Sequence, residues 1–157
     1  MDAKIGITKE NRQVVSEQLA KLLADEYILY TKTRNAHWNI EGEDFLSKHK
    51  FFQEQYEKID DFIDRVAERI RKIGHYAPAT LKNFLALTHL TEYSERKNDS
   101  IGFIRDLLAD HETVIEFIRG NIDPVANDHS DAGTSDFLTG LMEEHEEMAW
   151  FLRAHLK

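Results

Sequence analysis

The chain has 157 residues, 29 acidic against 20 basic, and a formal net charge of −9. It has no cysteine, two prolines and seven glycines, which excludes a disulfide framework and cysteine-based metal or nucleophile chemistry and points to an all-α protein. No apolar run approaches membrane-spanning length and the opening MDAKIGITKENRQ does not read as a signal peptide, so the expectation is one domain over 1–157, long enough for a real core, in the cytoplasm.

The first helix is expected from about Asn11 to Ala36. Val15, Leu19, Leu22, Leu29 and Tyr30 share one face, with Glu26 among them. A carboxylate in an apolar stripe needs a partner, which the sequence does not name. His37 lies on the same side at the C-terminal end, where a lone histidine is ordinarily a capping or packed residue. Trp38 reads as a large core anchor. Asn39 to Asp44, with Gly42, is a short polar loop of the kind that joins antiparallel neighbours.

The second helix is the most informative stretch. From Phe45 to Ile73 there is no Pro or Gly, and Phe52, Tyr56, Ile59, Ile63, Val66, Ile70 and Ile73 recur in steps of four and three. His49, Gln53, Asp60, Asp64 and Glu68 occupy a neighbouring arc roughly 100° wide. Such a row is ordinarily a solvated face, but His, Asp and Glu are the usual ligands of a first-row transition metal. His49 and Asp64 lie fifteen residues apart, roughly 22 Å along a straight helix, so one ion cannot touch both. A two-fold axis across the helix would set His49 of one subunit beside Asp64 and Glu68 of the next, and would do so twice.

Gly74 ends this helix after Arg69, Arg71 and Lys72, whose charges suit its C-terminal dipole. Gly74 to Asn98, with Pro78 and the cluster Leu81, Phe84, Leu85 and Leu87, reads as a crossover carrying one short helix. A long crossover at this point is a ferritin-like arrangement. The third long helix is expected over Asp99–Asn121, with Ile104, Leu107, Leu108, Ile115 and Ile118 as its seam and His111 inside it. Pro124 and NDHSDAG mark a turn. The fourth begins near Thr134 and carries Phe137, Leu141, Met148, Phe151 and Leu152, with His145 among them. His111 and His145 read as hydrogen-bonded core residues. No Glu stands three residues before any His, and there is no His-Glu-x-x-His, phosphate loop or Gly-x-Ser-x-Gly elbow. Ordinary ferritin, metalloprotease, nucleotide-binding and hydrolase readings are weakened accordingly.

The run His37-Trp38, Gly42, Phe45, His49, Asp64-x-x-Ala67-Glu68-Arg69 and Ile73-Gly74 resembles the signature of the Dps family, the mini-ferritins. The likeness extends in length and helix order from about Arg12 to His155. It implies a four-helix bundle with a short extra helix between the second and third long helices, assembled as a hollow dodecamer. It implies a ferroxidase that oxidises Fe(II), with hydrogen peroxide the expected oxidant, and stores ferric mineral against oxidative damage. By resemblance, His37 and His49 hold iron from one subunit, and Asp64 and Glu68 from its two-fold partner. Gln53 stands where many members carry Asp. The resemblance also places Asp131 and Asp136, and less firmly Asp128, near a three-fold ion pore, where the alternative is that Asp131 and Asp136 serve the helix start. Trp38 would lie beside the site and absorb oxidising equivalents.

Many relatives bind DNA through lysine-rich tails. Here the first twelve residues carry Lys4, Lys9 and Arg12 against Asp2 and Glu10, and the C-terminus offers Arg153 and Lys157, so DNA binding, and with it a place in the nucleoid, is not expected to carry over. Two rival readings are a non-enzymatic structural or DNA-compacting oligomer with a degenerate metal site, and a monomeric bundle that binds a small partner.

Overall fold

Local sequence explains several helix boundaries in the computed structural model, which describes residues 3–93 and 95–157; Asp2 of the N-terminal charge count lies outside them. Helix α1 runs Lys9–Asn39, started by the Thr8 side chain accepting from Asn11 N at 3.2 Å. Helix α2 spans Phe45–Lys72. It stops because Gly74 takes φ +93°, a left-handed conformation that favours glycine, and His75 N bonds back to Ile70 O at 3.1 Å. A Cβ at position 74 would also lie 2.7 Å from Arg12 Nη1. The short α3, Leu81–Leu87, is capped by Thr80, and α4, Ser100–Asn127, by Asp99. Helix α5 is Ala132–Ala154.

The four long helices form a ferritin-like bundle, and α3 sits in the crossover between α2 and α4. Helix α1 packs on α2, and α4 on α5. Phe52, Phe62 and Phe103 lie among the largest fully buried side chains. Truncating one to Ala costs about 3–5 kcal/mol, because the cavity left behind relaxes only in part. The crossover is tied down by buried charge. Asp25, fully buried on α1, accepts from Thr88 Oγ1 at 2.7 Å, His89 N at 2.6 Å and His89 Nδ1 at 2.7 Å. Lys32 meets Asp110 at 2.5 Å and Asp106 at 3.3 Å.

Several sequence expectations shift. Helix α4 continues past Asn121 and through Pro124 to Asn127. Proline removes the bond to residue 120, but that residue is an exposed Gly, whose carbonyl water can reach. Asp128 N and His129 N both donate to Pro124 O, at 2.9 and 3.1 Å, which closes the last turn. On α2, Tyr56 and Ile63 are only half-buried, while Phe62 and Gln55 are buried. The contact seam therefore passes Phe52, Gln55, Ile59, Phe62, Val66 and Ile70. On α5, Phe151 is 37 % exposed and Leu138 takes a core place instead.

Candidate metal centre

His37 stands in the last turn of α1 and His49 in the second turn of α2, facing each other across the loop at Gly42. Near a helix end a carbonyl loses its partner four residues on. Here Glu41 N, the natural partner of His37 O, donates to Asn98 O at 2.8 Å. His49 takes the freed acceptor, its Nδ1–H donating to His37 O at 2.7 Å. His37 Nδ1–H donates in return to His49 O at 2.7 Å. The two rings stack with centroids 3.8 Å apart and planes 20° from parallel.

This reciprocity fixes the tautomers. A carbonyl only accepts, so each hydrogen is on Nδ1 and the lone pair of each neutral ring is on Nε2. Neither Nε2 has a hydrogen-bond partner among the described residues. Backbone carbonyls thus hold both imidazoles by Nδ1, as the partners of metal-ligating histidines do. His37 is 8 % exposed and His49 half-buried, with Tyr56 edge-on to His37 and Phe45 beside His49, each at 5.2 Å.

Trp38 is not a core anchor. It is 63 % exposed, and the Arg34 guanidinium lies 5.0 Å from its ring and 4.4 Å from that of Tyr56. The preceding residue, His37, is the one turned inward, and neighbours on a helix point about 100° apart.

Asp64 and Glu68 are exposed on α2, one turn apart, with Lys72 3.4 Å from Glu68. Their place along α2 keeps Asp64 roughly 22 Å and Glu68 roughly 28 Å from His49 in the same chain. Among the described residues of one chain, no three His, Asp or Glu side chains converge on a common ion position. Gln53 is exposed and donates through Nε2 to Glu57 at 2.8 Å. Asp131 is buried and fully used by the fold. It caps α5, Oδ1 accepting from Thr134 N at 2.9 Å and Arg69 Nη2 at 3.3 Å, and Oδ2 from Thr134 Oγ1 at 2.6 Å. The helix-start alternative is therefore the role Asp131 has in the chain. Asp128 and Asp136 are exposed.

The partner that Glu26 needed is His145, whose Nε2–H donates to Glu26 Oε1 at 2.7 Å with both side chains fully buried. His145 Nδ1 in turn lies 2.9 Å from Nδ1 of buried His111. Each of the three is a polar residue on the apolar face of its helix, and that was the available signal. That the three faces meet at one height in the bundle is tertiary information.

Comparison with known proteins agrees with this architecture. The ferritin-like domain family matches residues 16–157. A low-temperature-induced protein of Nostoc sp. is 42 % identical, the match covering 98 % of this chain and 86 % of the relative. DNA protection during starvation protein 2 of Bacillus anthracis is 36 % identical, over 93 % of this chain and 98 % of its own. The crystal structure of a Dps protein from Vibrio cholerae O1, described as a member of a superfamily of ferritin-like diiron-carboxylate proteins, superposes with a TM-score of 0.92 at 28 % identity, covering 99 % and 97 % of the two chains. With the helix order, the crossover helix and these matches in agreement, the chain belongs to the Dps family of ferritin-like proteins.

Proposed function

We propose that residues 1–157 act as one ferritin-like domain, a ferroxidase and iron-storing mini-ferritin that assembles as a hollow dodecamer and limits oxidative damage. The carrying observation is the stacked His37–His49 pair, whose reciprocal bonds leave both Nε2 atoms available as ligands. Iron is the substrate. Asp64 and Glu68 of the partner subunit would complete each site, with Glu68 able to bridge two ions. Two ferrous ions give one electron each to one hydrogen peroxide, which takes up two protons and leaves as water, so no hydroxyl radical is released. Carboxylate oxygens are hard ligands and favour the ferric product. Relatives named for protection during starvation, and a neighbour described as diiron-carboxylate, support this reading.

Asp136 is the better candidate for a pore carboxylate, since Asp131 is committed to its cap and to Arg69. At −9 per subunit, with no lysine-rich tail, few phosphate counterions can be released, so DNA binding at physiological salt is expected to be weak. Firm retention in a gel shift without divalent cations would overturn that expectation.

Shared sites have a direct test. His37→Ala/His49→Ala subunits are co-assembled with Asp64→Ala/Glu68→Ala subunits, and peroxide-driven iron oxidation is followed by ultraviolet absorbance. Each parent shell should be inactive. Mixed shells should regain activity, because some two-fold interfaces then hold one site with all four ligands. No recovery in demonstrably mixed shells would sink the shared site, and inactive wild type would favour an inert structural shell.

A further inference from the structure

The centre of the bundle holds a second polar constellation, which iron oxidation does not use. Glu26 from α1, His145 from α5 and His111 from α4 form a line with contacts of 2.7 and 2.9 Å. Their exposures are 0 %, 0 % and 1 %. The ring of Phe62, from α2, lies 5.0 Å from that of His145 and adds no charge. Glu26 Oε2 is buried with no hydrogen-bond partner among the described residues.

Proton counting constrains this line. Glu26 Oε1 accepts the hydrogen of His145 Nε2. The contact between the two Nδ1 atoms has room for one hydrogen, carried by either ring. One positive charge can therefore be shared over the two imidazoles, balancing the Glu26 carboxylate. If both rings became imidazolium, both Nδ1 atoms would carry a hydrogen at 2.9 Å, and two cations would face each other away from water. The unfolded chain has no such restriction, and there each histidine takes its own proton.

We propose that Glu26, His145 and His111 are an acid-sensitive latch, which holds α1, α4 and α5 together at neutral pH and releases them when a second proton enters the histidine pair. Burial, and then the charge of His145, hold His111 well below the ordinary histidine value of 6.5, in the direction the geometry requires. A depressed histidine binds fewer protons folded than unfolded, so its contribution is intact above 6.5 and is lost as pH falls from there toward the folded value. Two neighbouring groups must be separated from this effect. On α4, Asp110 faces Lys32, and burial pushes its carboxyl up to about 6. Its contribution has the opposite sign, stability falling as pH rises from 3.8 to about 6. On α1, Asp25 is bound to Thr88 and His89. Both are present in every variant below, so they cancel in the comparison.

The experiment is thermal and urea unfolding of the assembled full-length protein at fixed concentration, from pH 7.5 to 5.0. Wild type is compared with His111→Gln, whose amide can still donate to His145 Nδ1, and with His155→Gln at a half-buried histidine outside this cluster, beyond the C-terminal end of α5. One linked proton changes the folding equilibrium constant tenfold per pH unit. Wild type and His155→Gln should lose stability with that extra slope below 6.5, and His111→Gln should be flatter by up to tenfold per unit. Equal slopes in all three would overturn the latch. Should His111→Gln fail to assemble, histidine ring resonances of wild type decide the matter. Only one of the two core rings should protonate before unfolding, and two independent titrations near the ordinary value in the folded state would refute the proposal.

Discussion

The chain uses two histidine pairs, and they are built in opposite ways. His37 and His49 give their Nδ1 hydrogens to backbone carbonyls and leave both Nε2 atoms without a hydrogen-bond partner among the described residues. His111 and His145 meet through their own nitrogens, with Glu26 behind them, and are sealed from water. Both pairs join two helices. The difference teaches that burial alone does not separate a ligand from a core residue, since His37 itself is 8 % exposed. What separates them is where the ring nitrogens are used. A nitrogen bonded inside the fold supports structure, and a lone pair left uncommitted beside polar surface can accept a metal.

The largest effect should come from emptying the open pair. His37→Ala/His49→Ala should lower iron oxidation by on the order of 100-fold or more, since loss of mere outer-shell partners already costs about 10–100-fold. Its unfolding midpoint should shift little beside that. Stopped-flow absorbance and a thermal scan on one preparation measure both. Rapid oxidation in this variant would remove the functional distinction between the pairs.

Breaking the sealed pair should do the reverse. His145→Ala leaves Glu26 as a buried carboxylate without a counter-ion, and removal of one partner of a buried pair costs about 3–5 kcal/mol. Denaturant titration should show this loss, while the fraction that stays assembled oxidises iron at the wild-type rate per subunit. A slowed rate with unchanged stability would mean that the core pair belongs to the chemistry.

Gln53 should give the smallest effect. It lies one turn from His49 on the polar row, and a neutral amide attracts a hard cation less than a carboxylate does. Gln53→Asp should tighten the second iron of the site and speed oxidation at low iron by a few-fold, about 1 kcal/mol. Anaerobic calorimetry on both proteins is the measurement. Two equally tight ions per site in wild type would show that the amide costs nothing there.

Much of this protein follows from the sequence alone, because periodicity, caps and breakers act over one or two turns. The four long helices, the short crossover helix, the stop at Gly74 and the incompatibility of His49 and Asp64 with a single-chain site are all local properties of the chain. What failed or stayed open depended on which of two adjacent faces a neighbour covers. Phe62 and Tyr56 are both aromatic positions on α2, and only packing against the other helices decides that Phe62 is core and Tyr56 is half-buried. Trp38 and Phe151 have the composition of core residues, but they lie on faces that the rest of the chain covers only in part. Asp131 had two open readings until the Arg69 side chain arrived from a helix 62 residues away in sequence. The partner of Glu26 lies 119 residues along the chain, beyond the reach of any local rule. Residue type and spacing determined which side chains could do chemistry; the tertiary structure decided which nitrogens and oxygens were left unbonded to do it, because that depends on every helix that packs against them.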